Sequence, residues 1–69
     1  MNMERAVEIL GINRTQDGDL RPMVAALKVF SALNTPEENE RLEAAQYVLR
    51  RWTAYQDVCN EKRTNVLYA

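Results

Sequence analysis

The longest regular pattern in the chain begins at Thr35 and continues to about residue 62. Apolar residues recur there at alternating steps of three and four, which is the spacing of one face of an α-helix. The members of this first stripe are Leu42, Ala45, Val48, Leu49, Trp52, Tyr55 and Cys59. We therefore predict a long third helix that packs this stripe on the rest of the chain.

The residues before this stripe form a helix start. Thr35 is a favourable N-cap, Pro36 suits the first helical position, and Glu38 at the third position completes a capping box. A helix from residue 36 to residue 62 would be about 40 Å long. It would therefore extend beyond the compact core of so short a chain.

Two shorter helices are predicted before it. The first runs from about residue 3 to Leu10, with Asn2 as its cap and Gly11 as its left-handed C-terminal residue. The polar residues 13–19 predict a loop. The second helix covers about residues 20–33, and it tolerates Pro22 because first-turn amides have no intrahelical acceptor.

The second helix is the most apolar of the three. Its charged residues are Arg21 and Lys28, and one face carries Met23, Ala26, Leu27, Phe30 and Leu33. We predict that this helix lies in the middle of the assembly. The short connection at residues 34–35 predicts that it forms an antiparallel hairpin with the third helix.

The fold class predicted is all-α, with residues 1–69 as a single three-helix domain. A core of this size is marginal by itself. Cys59 is the single cysteine, so it has no internal disulfide partner, and the chain has no histidine for a zinc site. Oligomerisation remains as the source of stability, and we predict a helical-bundle dimer.

A second stripe lies beside the first on the third helix, offset by roughly 100°. It consists of Ala44, Tyr47, Arg51, Ala54 and Val58. Two adjoining stripes exceed what two short helices can cover. The predicted partner-binding residues are therefore Tyr47, Arg50, Arg51, Ala54 and Val58, together with the apolar terminal residues Val66, Leu67 and Tyr68. The alternative is an ordinary exposed boundary on which Arg51 lays its apolar stem.

The function predicted from these stripes is a non-enzymatic protein–protein interaction module, such as a small regulator, inhibitor or adaptor. Its partners would be a second copy of the chain and a possible heterologous protein. Nine basic and ten acidic residues give a net charge of −1, so no global field attracts nucleic acid or an anionic membrane.

A small dimeric helix-turn-helix-like DNA-binding regulator is the alternative function. Arg50 and Arg51, with Arg41, could contact phosphate, and the second and third helices could form the motif. Against this function, three glutamates among residues 37–40 occupy the start of the third helix, where a recognition helix carries its base-reading side chains.

The sequence offers little for catalysis. The chain has no histidine, no glycine-rich phosphate loop, and no serine or cysteine nucleophile with a recognisable partner. We expect no enzymatic activity, no cofactor and no metal, and we interpret Cys59 as a buried thiol. The N-terminal residues do not resemble a signal peptide and no segment is long enough to span a membrane, so a cytoplasmic location is expected.

Two segments resemble parts of the J-domain co-chaperones. Residues 9–12 are similar to the end of their first helix, and residues 44–49 are similar to part of their third. The His-Pro-Asp motif that defines the family is absent between the second and third helices, where this chain has residues 34–37. The resemblance therefore implies a three-helix arrangement and no function.

Overall fold

The computed structural model describes residues 1–29 and 31–65 in full and residues 66–68 as backbone. Within these ranges the chain forms four α-helices, α1 (Met3–Leu10), α2 (Leu20–Val29), α3 (Pro36–Arg50) and α4 (Trp52–Tyr68). Two short 3-10 turns, Asp17–Asp19 and Ser31–Leu33, precede and follow α2. The predicted all-α fold is confirmed.

The caps of α1 are those that the sequence predicts. The Asn2 side chain accepts a hydrogen bond from the backbone N–H of Arg5 at 2.8 Å. At the other end Gly11 has a φ of 82°, and its N–H donates to the carbonyl oxygen of Val7 at 2.8 Å. Both ends are therefore set by local sequence.

The predicted start of α3 is also confirmed. Thr35 accepts a hydrogen bond from the N–H of Glu38 at 3.2 Å, and the Glu38 carboxylate accepts one from the N–H of Thr35 at 3.1 Å. Pro36 occupies the first helical position. These reciprocal bonds form the complete capping box.

The predicted single long helix is wrong, because the chain leaves helical geometry at Arg51. This residue has φ −131° and ψ 41°, and it separates α3 from α4. No proline or glycine lies near the break. Two hydrogen bonds accompany it: the Tyr55 hydroxyl donates to the carbonyl oxygen of Gly11, and the Gln56 amide donates to that of Arg14, both at 2.7 Å. They connect α4 to the segment after α1.

Two helix ends also differ from the prediction. The second helix ends at Val29 instead of residue 33, and the Asn34 side chain donates to the carbonyl oxygen of Leu27 at 2.8 Å. This bond satisfies a carbonyl group of the last turn. At the C-terminus α4 continues to Tyr68, beyond the residue 62 that the fading pattern predicts.

The core lies where α1, α3 and α4 meet the start of α2. Its fully buried residues are Ala6, Val7, Leu10, Leu20, Ala44, Ala45, Val48, Tyr55 and Cys59. Four members of the predicted first stripe belong to this set, and Leu49 and Trp52 pack against it while half-buried. The predicted packing face of the third helix is therefore confirmed across the break.

Within a single chain α2 is largely exposed, and its place in the middle of a dimeric assembly stays a prediction. Among its described residues Leu20 alone is fully buried, whereas Ala26 is exposed and Val29 is 67% exposed. Leu33, in the following turn, is 78% exposed. The helix packs against α3, as α1 does, and leaves its far face to solvent. Phe30, predicted on the buried face, lies outside the described residues.

None of the described helices combines the length and the apolar character needed to cross a membrane.

Candidate functional site

The strongest arrangement among the predicted partner-binding residues is a stack at the end of α3. The Arg51 guanidinium carbon lies 4.1 Å from the centre of the Tyr47 ring. One helical turn separates the two residues, so the cation covers the face of the ring. Tyr47 is half-buried against the core, whereas Arg51 is exposed. The Tyr47 ring therefore contacts the core and Arg51, and part of it remains exposed to solvent.

A shallow groove of about 270 Å³ surrounds this stack. It is lined by Met1, Glu43, Gln46, Tyr47, Arg50 and Arg51. The N-terminal ammonium group lies 3.5 Å from a carboxylate oxygen of Glu43, which gives the groove an ion pair on one wall. Neither arginine forms an ion pair with a described residue. The groove therefore presents two uncompensated cations beside an aromatic ring.

The remaining predicted residues do not join this groove. Ala54 is exposed on α4 beyond the break. Val58 is half-buried against the core and lines a second groove of about 290 Å³ between α1 and α4, together with Met3 and Lys62. The side chains of Val66, Leu67 and Tyr68 lie outside the described ones. Three members of the predicted set therefore line one groove, Val58 lines the other, and Ala54 lines neither.

The second stripe is not a continuous exposed surface. Ala44, its first member, is completely buried in the core of the chain itself. The break at Arg51 also changes the phase between Tyr47 and Ala54, because an interrupted helix does not keep a common face. The residues of the second stripe do recur at helical spacing in the sequence. In the structure, however, they do not form one exposed face, because Ala44 is buried and the helix is interrupted at Arg51.

Sequence reasoning missed two groups of surface residues. Met1, Glu43 and Gln46 complete the groove, and the position of Glu43 one turn before Tyr47 was the available signal. Val29 and Leu33 are exposed although the pattern predicted an apolar helix inside the assembly. Neighbouring residues in the sequence do not reveal that these two side chains are exposed, because their exposure depends on which helices cover α2.

The polar atoms nearest the core belong to Tyr55 and Cys59. Burial raises the pKa of the Tyr55 phenol above its usual range, and the neighbouring Cys59 raises it further. The Cys59 sulfur also lies 4.0 Å from the Gly11 carbonyl oxygen that accepts the Tyr55 hydrogen bond. This pair is enclosed, so the predicted interpretation of Cys59 as a buried thiol is confirmed. Among the described residues no group of three or more His, Cys, Asp or Glu side chains is placed to hold a metal ion.

No family model, no curated protein and no solved structure matches this chain. The J-domain resemblance therefore remains a likeness of two short segments.

Proposed function

We propose that the protein is a non-enzymatic protein–protein interaction module, acting as a small regulator, inhibitor or adaptor. Its binding surface would be the Tyr47 surface, which we define as Tyr47, Arg50 and Arg51 at the end of α3, and the exposed Ala54 just beyond the break would lie at its edge. The first partner would be a second copy of the chain, and a heterologous protein could bind the same surface. We further propose that it acts in the cytoplasm and requires no cofactor.

The stack of Arg51 on Tyr47 is the observation that carries this proposal. Tyrosine and arginine are enriched among the residues that dominate binding energy. Here the 4.1 Å contact holds both side chains in one arrangement before any partner arrives. Side chains that are already ordered lose less conformational freedom on binding, so more of the contact energy appears as affinity.

The size of the core supports association. Five of the nine buried residues are alanine or valine on α1 and α3, and Tyr55 is the largest member. Val29 and Leu33 are mostly exposed, although both are large apolar residues. A chain of 69 residues gains stability when such surface is covered by another subunit.

The absence of histidine supports a binding role over general acid–base chemistry near neutral pH. The DNA-binding alternative is less well supported, because Glu37 and Glu38 occupy the first turn of α3. In a helix-turn-helix that turn would approach the phosphate backbone.

Replacing Ala54 with Glu tests the proposal. Ala54 is exposed, so the fold should remain, and the new charge should reduce self-association. Molar mass is measured by light scattering over a concentration series, and folding is checked by circular dichroism. We expect a dimer for the natural chain and a monomer for the variant.

Thr53→Glu is the matched control, because residue 53 is also exposed and lies 100° away from Ala54 on α4. It should keep the dimer mass. A natural chain that stays monomeric at every concentration would overturn the homodimer. Binding to random duplex DNA that weakens steeply with added salt would favour the DNA-binding alternative instead.

A further inference from the structure

We propose that a second copy of the chain docks antiparallel along α3, with Arg50 of each subunit facing Glu40 of the partner subunit. This inference rests on the homodimer proposed above and specifies its geometry.

The outer face of α3 carries residues spaced alternately by four and three positions. Such spacing produces one continuous stripe on a helix. The stripe consists of Pro36, Glu40, Glu43, Tyr47 and Arg50, all of them exposed or half-exposed. The buried residues Ala45 and Val48 lie roughly 120–180° from the middle of this stripe and face the core, whereas the buried Ala44 lies nearer to it, at roughly 80°. The stripe borders the start of α1, where Arg5 contacts Glu40 and the N-terminal ammonium group contacts Glu43, and its remaining surface faces solvent.

Charge changes sign along this stripe. Glu40 and Glu43 occupy its first half, Tyr47 follows, and Arg50 ends it. In a parallel pair each residue would face its own copy, so glutamate would oppose glutamate. In an antiparallel pair the acidic half of one helix faces the basic end of the other. The charge order therefore selects the antiparallel orientation.

A single register of the two antiparallel helices pairs residue 40 with residue 50 and residue 43 with residue 47. Setting residue 40 opposite residue 50 also sets residue 43 opposite residue 47, because both pairs are centred on the same point of the helix. A two-fold axis at that point generates each contact twice, as an isologous interface requires. The paired segment from residue 40 to residue 50 is about 16 Å long.

Both glutamates of the stripe already form ion pairs within the chain, Glu43 with the N-terminal ammonium group at 3.5 Å and Glu40 with Arg5. One oxygen of Glu40 accepts a hydrogen bond from Arg5 at 2.6 Å, and Arg5 also bonds Glu8 at 3.0 Å. These contacts fix the Glu40 carboxylate on the surface, and its second oxygen can accept another donor. Arg50 forms no ion pair with a described residue, so it brings an uncompensated cation to the contact.

Exposed ion pairs contribute little energy, so they determine orientation here more than strength. Burial of the Tyr47 ring, already covered on one side by Arg51, would supply the apolar part of the interface.

A charge-exchange experiment tests the register. Glu40→Arg places arginine opposite Arg50, and Arg50→Glu places glutamate opposite Glu40, so each variant alone meets like charges at both contacts. Mixed in equal amounts, the two variants restore opposite charges at both contacts. We expect self-association of each single variant to weaken roughly tenfold or more and the mixture to form a heterodimer close to the natural affinity.

Glu61→Arg and Lys62→Glu are the matched controls, because they make the same charge changes at exposed positions of α4. They should leave self-association unchanged. Association is measured by sedimentation equilibrium, and thermal melts confirm that each variant folds.

The outcomes separate the two proposals. A natural chain that stays monomeric would overturn the homodimer and this docking geometry together. A natural dimer that tolerates Glu40→Arg and Arg50→Glu, or a mixture that fails to recover association, would overturn the docking geometry while the interaction function stands.

Discussion

The ring of Tyr55 lies wholly inside the protein, with its hydroxyl hydrogen-bonded to the backbone of Gly11 at 2.7 Å. A buried hydroxyl is costly unless it finds a partner. The partner here is 44 positions away in sequence, at a glycine whose positive φ ends α1. One side chain thus joins the last helix to the end of the first.

We expect Tyr55→Phe to lower the free energy of unfolding by about 1–2 kcal/mol, because the Gly11 carbonyl loses its donor while the packing of the ring is kept. Urea denaturation of dilute protein measures this change. Tyr47→Phe is the matched control, since the Tyr47 hydroxyl has no hydrogen bond to a described residue; its effect should stay within about 0.5 kcal/mol. Equal losses in the two variants would contradict the structural role of the Tyr55 hydroxyl.

At the residue scale the sequence could indicate that Tyr55 and Cys59 are buried, because both fall on the first apolar stripe. It could not indicate which carbonyl group the hydroxyl reaches. That contact depends on the path of the chain after Gly11.

The four helices differ in how strongly their own residues determine their ends. The capping box of α3 uses Thr35 and Glu38, which are three positions apart, so the sequence displays it directly. The break at Arg51 has no such local cause. It accompanies the bonds of Tyr55 and Gln56 to backbone carbonyls on the far side of the core.

The capping box predicts a pH dependence. The hydrogen bond from the backbone N–H of Thr35 lowers the pKa of Glu38 below its usual 4.5. Stability from the charged carboxylate is therefore complete above that usual pKa and is lost as the pH falls through the lower pKa of the folded state. We expect the natural chain to exceed Glu38→Gln in stability at about pH 7 and the two to converge near about pH 3.

Thermal unfolding followed at a series of pH values measures this convergence. Glutamine is the neutral isostere of protonated glutamate, so the substitution removes the titration and keeps the shape. Stability curves that remain parallel down to the lowest pH would show that the Glu38 charge does not stabilise the start of α3.

The whole molecule measures 43 × 21 × 16 Å, so its short dimensions hold about two helix diameters. In so thin a structure every helix has one side at the surface. This explains why α2 has a solvent-exposed apolar face and why a core of nine buried residues includes three alanines. It also explains how Tyr47 can contact the core and line a surface groove at the same time.

The burial of the single thiol determines how fast it should react. Cys59 is completely buried, so a thiol reagent should reach it only when the structure opens. We expect modification of the native chain to be roughly a hundredfold slower or more than in denaturant. The reaction is followed by the absorbance of the released aromatic thiolate.

A double variant, Cys59→Ala with Ala54→Cys, serves as the control, because position 54 is exposed on the same helix. Its native and denatured forms should react at similar rates. Equal native rates for Cys59 and for the cysteine at position 54 would show that α4 does not remain packed on α1.

By itself the sequence determined the helical class, the caps of α1, the start of α3 and the face of α3 and α4 that enters the core. Each of these depends on residues within one or two helical turns, where side-chain spacing and backbone hydrogen bonds act locally. Only the tertiary structure decided the break at Arg51, the burial of Ala44, the exposure of Val29 and Leu33, and the groove around Tyr47. Those features depend on contacts between residues far apart in the chain. Such contacts compete with the local preference for a continuous helix, which is interrupted at Arg51.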